Sequence, residues 1–226
     1  MTGKAPDGGP EASGTGACVR FAPRDLALPL DTILRMQGYK DLGAVRPRVR
    51  ESAVRALAEA ERLIAPEACY RRVAVEDCGN GVLRLAEGTT FHGTTFDRTL
   101  AGCPAVVVFV LTLGEAIDNA SDALQDDNLL DAYFLETAGW LATERATRAL
   151  MQHLAAETAR CGLRLTRRLA PGYGDWPLEE QVGLFELFAG VELPVRLLES
   201  QAMLPRKSRS GLWGLRPAGG AGGAPE

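Results

Sequence analysis

The chain has little histidine, no paired-cysteine motif, no long apolar run and no surplus of positive charge, and each shortage removes a class of function. Two histidines, His92 and His153, are too few for a histidine-rich metal site. The five cysteines, Cys18, Cys69, Cys78, Cys103 and Cys161, are odd in number and lack CxxC spacing, which argues against a zinc knuckle and against a disulfide framework. They read as reduced, mostly buried small side chains. No segment approaches the roughly 20 uninterrupted apolar residues of a membrane helix, and the N-terminus lacks the charged-then-apolar order of a signal peptide. No membrane association is expected, and the location expected is cytoplasmic. A net charge of −4 offers no general attraction to nucleic acid or anionic lipid. No strand runs into a GxGxG loop, which ranks an ordinary small-molecule methyltransferase lowest among the readings.

What is present is the composition of an ordinary globular chain: 226 residues, 46% apolar and 24% charged, enough for one domain with a real core. Residues 1–17 and 217–226 are rich in Gly and Pro with little to bury and are expected to be disordered tails around a single domain at 18–216. A short helix is expected over Leu30 to Gln37, and a clearer one over Arg46 to Ile64, where Val49, Ala53, Leu57, Ala60 and Ile64 recur at steps of three and four. Short β-type runs follow at Tyr70 to Val75, Val82 to Leu85 and Thr89 to His92, divided by glycines. Pro104 to Leu113 is continuously apolar and β-branched, as in a central strand buried on both faces. Helices are expected from Glu115 to Leu124 and from about Asn128 to Cys161.

Two later segments stand out. Arg167 to Gly190 reads RRLAPGYGDWPLEEQVGLFELFAG, and Leu198 to Gly214 reads LESQAMLPRKSRSGLWG. In the first, Asp175 can cap a helix whose first turn holds Pro177, Glu179 and Glu180, with Leu178, Val182, Phe185 and Phe188 facing the core. Pro171, Gly172, Tyr173 and Gly174 fix an unusual backbone path that presents an aromatic ring beside Arg168. In the second, Arg206, Lys207 and Arg209 form a basic cluster, either a docking patch or a solvated loop. Trp140 and Trp176 read as packing residues, and His92 as a sheet-edge residue.

Arg168 to Tyr173 resembles the R-x-x-P-G-Y signature of the activation domain of cobalamin-dependent methionine synthase. Glu199, Ser200, Ala202, Met203, Pro205, Ser208, Ser210 and Gly211 resemble the later E-S-x-A-M-x-P-x-x-S-x-S-G stretch of that family, in the same order. The resemblance covers the C-terminal third of the chain. It implies an α+β fold, a twisted antiparallel sheet flanked by helices, and an S-adenosylmethionine site using Arg168, Ala170, Gly172 and Tyr173. It also nominates Glu136 on the long helix for the ligand's ammonium group and Trp213 as a stacking surface.

The implied role is a reactivation module that supports reductive methylation of inactive cob(II)alamin, a component of methionine synthase or of a related corrinoid methyltransferase activity. Because no D-x-H-x-x-G motif is present, the cobalamin would be carried by a partner: a corrinoid-binding protein or split methionine synthase subunits, with a reductant protein such as flavodoxin. The alternative is a docking protein that keeps the fold but has lost S-adenosylmethionine, which requires a filled pocket around Arg168 and Tyr173. No general acid, base or nucleophile is expected in the chain.

Overall fold

The computed structural model describes residues 17–219. In chain order these form β1 (Ala17–Arg20), α1 (Leu30–Met36), α2 (Pro47–Leu63), β2 (Glu67–Gly79), β3 (Val82–Leu85), β4 (Thr90–His92), α3 (Thr95–Thr99) and β5 (Ala105–Thr112). There follow α4 (Ala116–Leu124), α5 (Leu129–Ala159), β6 (Leu163–Leu165), α6 (Gln181–Glu186), β7 (Arg196–Leu197), β8 (Met203–Leu204) and β9 (Ser208–Pro217).

The sheet grows outward from β5, whose eight residues are all buried. Side chains alternate across a strand, so Ala105, Val107, Phe109 and Leu111 enter one core while Val106, Val108 and Val110 enter the other. Burying a Val, Leu or Phe side chain is worth about 1.5–3 kcal/mol, so a strand apolar on both faces favours the centre of the sheet. The order is β4-β3-β2-β5-β9-β6, and every pairing is antiparallel. β2 is long enough to pair twice along its other edge, with β1 through Glu67–Tyr70 and with β3 from Val75 to Gly79, across a register shift between Val75 and Asp77.

Helices cover one face. α2 and α5 pack through the small residues Ala53, Ala56, Ala60, Ala138, Ala142 and Ala146, which let the backbones come close. Asp131 of α5 holds α2 from the rim, accepting bonds from Ser52 and Arg55. The 31 residues of α5 span about 46 Å and start at Asn128, whose side chain accepts from the Asp131 amide. The other face is closed by α3, α6 and the loops between β6 and β9, around Phe91, Phe96, Trp176 and Phe188. No helix among the described residues is long and apolar enough to cross a membrane.

Several expectations change. Cys18 and Cys69 are direct register partners and form a disulfide, a pairing hidden by their separation of 51 residues. Cys103 is buried, Cys78 half-buried and Cys161 exposed. Ala17 and Pro217, assigned above to the tails, are paired strand residues, and the rest of those tails lies outside the described residues apart from Ala218 and Gly219. Asp175 does not cap the helix that follows it. A 3-10 turn at Leu178–Glu180 precedes α6 and shifts its phase, so Gln181, Leu184, Leu187 and Phe188 are buried while Leu178 and Val182 are each 42% exposed.

Candidate functional site

The loop that follows β6 is bound to β9 by main-chain atoms. Leu169 and Leu212 exchange both amide-to-carbonyl bonds at 2.9 Å, an isolated antiparallel bridge that sets Arg168 opposite Trp213 and Ala170 opposite Gly211. Gly211 is required for this approach, because a Cβ there would collide with the Leu169 carbonyl oxygen. Past the bridge the chain closes on itself: Gly172 N–H donates to the Trp176 carbonyl at 2.9 Å and Tyr173 N–H to that of Ala170 at 3.2 Å. Gly172 and Gly174 take positive φ values of 81° and 66° in this turn.

The loop is fastened from behind. Trp176 is 2% exposed and meets Phe91 and Phe96 edge-on, with centroids 5.1 and 5.2 Å away. The Asp175 carboxylate accepts from the Thr94 amide at 2.5 Å, the Thr94 hydroxyl at 2.6 Å and the Thr95 amide at 3.1 Å, anchoring the loop to the start of α3. The Thr94 hydroxyl bond and those two amides hold the Asp175 carboxyl below the usual carboxylate range. Arg167 donates to Thr95 and Thr99. His92, at the sheet edge, gives its amide and its Nδ1 edge to Glu180 at 2.8 and 2.6 Å.

Held in this way, the loop turns Tyr173 outward, 70% exposed, with the Arg168 guanidinium 6.0 Å from its ring centroid. Arg168 is half-buried and, among the described residues, makes no hydrogen bond or ion pair. Burial first, and then the charge of Arg209, push its pKa down from the ordinary arginine value. A partly desolvated guanidinium without a counter-ion suits a carboxylate, and an exposed phenol ring beside it suits a flat or cationic group. The structure thus brings Arg168, Ala170, Gly172 and Tyr173 together on one loop.

The other two nominated residues sit elsewhere. Trp213 faces the helices opposite Arg168 but is 1% exposed and stacks on Phe109 with centroids 4.3 Å apart, a core contact. Glu136 is bonded to Lys207, whose Nζ lies 2.6 Å from Glu136, 3.5 Å from Asp118 and 5.4 Å from the Trp140 ring centroid. Lys207 is 2% exposed, and a Cβ on Gly139 would stand 2.7 Å from its Cε, so α5 leaves room for the lysine stem. Burial is the largest single influence on the Glu136 carboxyl and raises it, but the bonds from Lys207 and Ser121 and the charges of Lys207 and Arg206 together leave the pKa below the usual range.

The basic cluster is therefore neither a docking patch of free charges nor a solvated loop. Arg206 is held by Asp122 at 2.7 Å, Lys207 is buried, and Arg209 donates to Glu144 at 2.5 Å. Trp140, read as packing, is 51% exposed. Reasoning from sequence missed Glu144 and placed Arg209 only in the basic cluster; both lie within electrostatic reach of Arg168. The only signal was that Glu136, Trp140 and Glu144 fall at helical spacing on one face of α5.

An antiparallel sheet with helices packed on one face, and a Pro-Gly-Tyr-Gly loop bridged onto a central strand, define an α+β fold. That fold is found in the crystal structure of the MetH reactivation domain bound to AdoHcy, which aligns with a TM-score of 0.66 at 15% identity, over 91% of this chain and 80% of that one. No protein-family model and no curated protein matches the sequence.

Proposed function

We propose that the chain binds S-adenosylmethionine at the Arg168–Tyr173 loop and acts as a reactivation module for a separately encoded cobalamin-dependent methyltransferase. One observation carries this reading: a half-buried Arg168 that makes no hydrogen bond or ion pair among the described residues, beside an exposed Tyr173, on the fold of a domain solved with AdoHcy. The residues fit such a ligand. Arg168 would hold its carboxylate, the main chain at Ala170 and Gly172 can bond its polar edges, and Tyr173 offers a face for the adenine or the sulfonium.

When bound, the ligand supplies an activated methyl group, and the chain's contribution is to bind and orient it. The cobalamin would arrive on a corrinoid-binding protein or on split methionine synthase subunits, with a reductant protein such as flavodoxin supplying electrons. A cytoplasmic location goes with this role, and there the Cys18–Cys69 bond would be an exception to the reduced thiols usual in that compartment. The rival reading, a docking protein without ligand, calls for a filled pocket around Arg168 and Tyr173; the exposure of Tyr173 and the lack of a partner for Arg168 among the described residues favour the ligand.

Calorimetric titration with S-adenosylmethionine tests the proposal. Saturable binding to the wild type is expected, weakened by about tenfold or more in Arg168→Ala, as for loss of a charge-assisted contact. No binding to a folded wild type, even with a cobalamin-carrying partner supplied, would refute it.

A further inference from the structure

We infer that the Cys18–Cys69 disulfide is a reversible redox clasp: oxidised, it pins β1 along β2, and reduced, it lets β1 go while the rest of the domain stays folded. The inference is independent of the ligand reading of the Arg168–Tyr173 loop.

The bond lies at the margin of the fold. β1 is four residues long and pairs with β2 over Glu67–Tyr70. Ala17, Cys18 and Arg20 are exposed and Val19 is half-buried, whereas Cys69 is 0% exposed. The Phe21 N–H donates to the Pro66 carbonyl at 3.0 Å. The alternation of an antiparallel ladder then gives main-chain bonds to Val19 with Ala68 and to Ala17 with Tyr70, but none to Cys18 with Cys69. At that rung the two strands are joined through sulfur.

The other holds on β1 are weak. The Arg20–Glu67 ion pair, at 3.0 Å, has an arginine side chain 81% exposed, and such surface pairs contribute little. Val19 and Phe21 reach the helical core only from its edge and are half-buried there. The disulfide, by contrast, joins residues 51 apart in sequence, so it closes a long loop and restricts the released strand strongly. β2 itself does not need β1, because its pairing with β5 runs unbroken from Glu67 to Ala74.

Cys18 is the member of the pair that solvent reaches, so a thiolate attacks there. Its sulfur bonds to Cys18 Sγ, the S–S bond breaks, and Cys69 leaves as a thiolate that takes up a proton. A second thiol of the attacker then displaces Cys18, so that one dithiol becomes a disulfide and the protein disulfide becomes two thiols. The reductant is a dithiol of the class that keeps cytoplasmic cysteines reduced. With β1 off, Ala68 and Tyr70 turn unpaired main-chain groups outward, and the β2 margin becomes an open sheet edge.

The test oxidises the full chain with glutathione disulfide and then treats it, folded and without denaturant, with dithiothreitol. Three readings are taken: alkylation of Cys18 and Cys69, far-ultraviolet circular dichroism, and the rate of trypsin cleavage after Arg20. Both cysteines should become alkylated with the dichroism kept, and cleavage should quicken by about tenfold or more, as for a local opening no longer held by a cross-link. Glutathione disulfide should restore the slow rate. Cys18→Ser, which cannot form the bond, should be cleaved at the fast rate with or without dithiothreitol. A bond that resists dithiothreitol until urea is added, a cleavage rate unchanged by reduction or not restored by oxidation, or slow cleavage of Cys18→Ser overturns the inference. Loss of the dichroism on reduction, or failure of Cys18→Ser to fold, also overturns it, since either makes the bond a staple of the whole domain.

Discussion

Replacing Trp176 with alanine removes the side chain that fastens the Pro-Gly-Tyr-Gly loop to the sheet. The indole is 2% exposed and lies between Phe91 and Phe96. Truncating a buried tryptophan costs about 3–5 kcal/mol, made up of lost transfer energy and the cavity left behind. The two edge-on ring contacts, at about 0.5–1.5 kcal/mol for such a pair, put the value in the upper half of that range. With a urea slope of about 2 kcal/mol per molar, the unfolding midpoint should fall by about 2 M. Trp176→Phe is the informative companion. The indole Nε1 has no hydrogen-bond partner among the described residues, so phenylalanine removes an unsatisfied donor along with some volume. That variant should lose no more than about 1–2 kcal/mol. Both values come from urea titrations followed by circular dichroism. A loss below about 1 kcal/mol for Trp176→Ala would show that the loop does not depend on this anchor and would refute the reasoning.

Two further outcomes are expected. Thiol titration of unreduced, unfolded protein should count three free cysteines of five, rising to five after reduction; five before reduction would exclude the Cys18–Cys69 bond. Asp175, whose pKa is depressed in the folded state, contributes stability that is present in full above the ordinary aspartate value and lost as pH falls through the lower folded value. The stability gap between wild type and Asp175→Asn should therefore be widest near neutral pH and close on acidification below about pH 4; a gap that stays constant with pH would contradict the assigned bonds.

Much of the framework was legible in the sequence because it depends on local pattern. The β-branched run AVVVFVLT favours a strand buried on both faces, and the steps of three and four in Arg46 to Ile64 placed α2 within a residue at each end. The loop was legible because proline fixes its own φ and glycine admits the positive φ that Gly172 and Gly174 adopt. What failed was whatever a distant residue decides. The phase of α6 follows from the 3-10 turn before it, Asp175 answers to Thr94 and not to its own helix, and Cys18 meets Cys69 through strand register. Glu136 looked available because nothing in its own segment shows that Lys207, 71 residues later, reaches it.

The bridge between Leu169 and Leu212 is made by backbone atoms alone. Substitution at either position leaves its two bonds intact, provided the replacement is not proline, and the composition of the chain can drift widely while the loop stays seated. The constraint falls on the neighbour: at Gly211 even one added methyl group meets the Leu169 carbonyl. Of the residues at this crossing, the one with no side chain is the one least free to change.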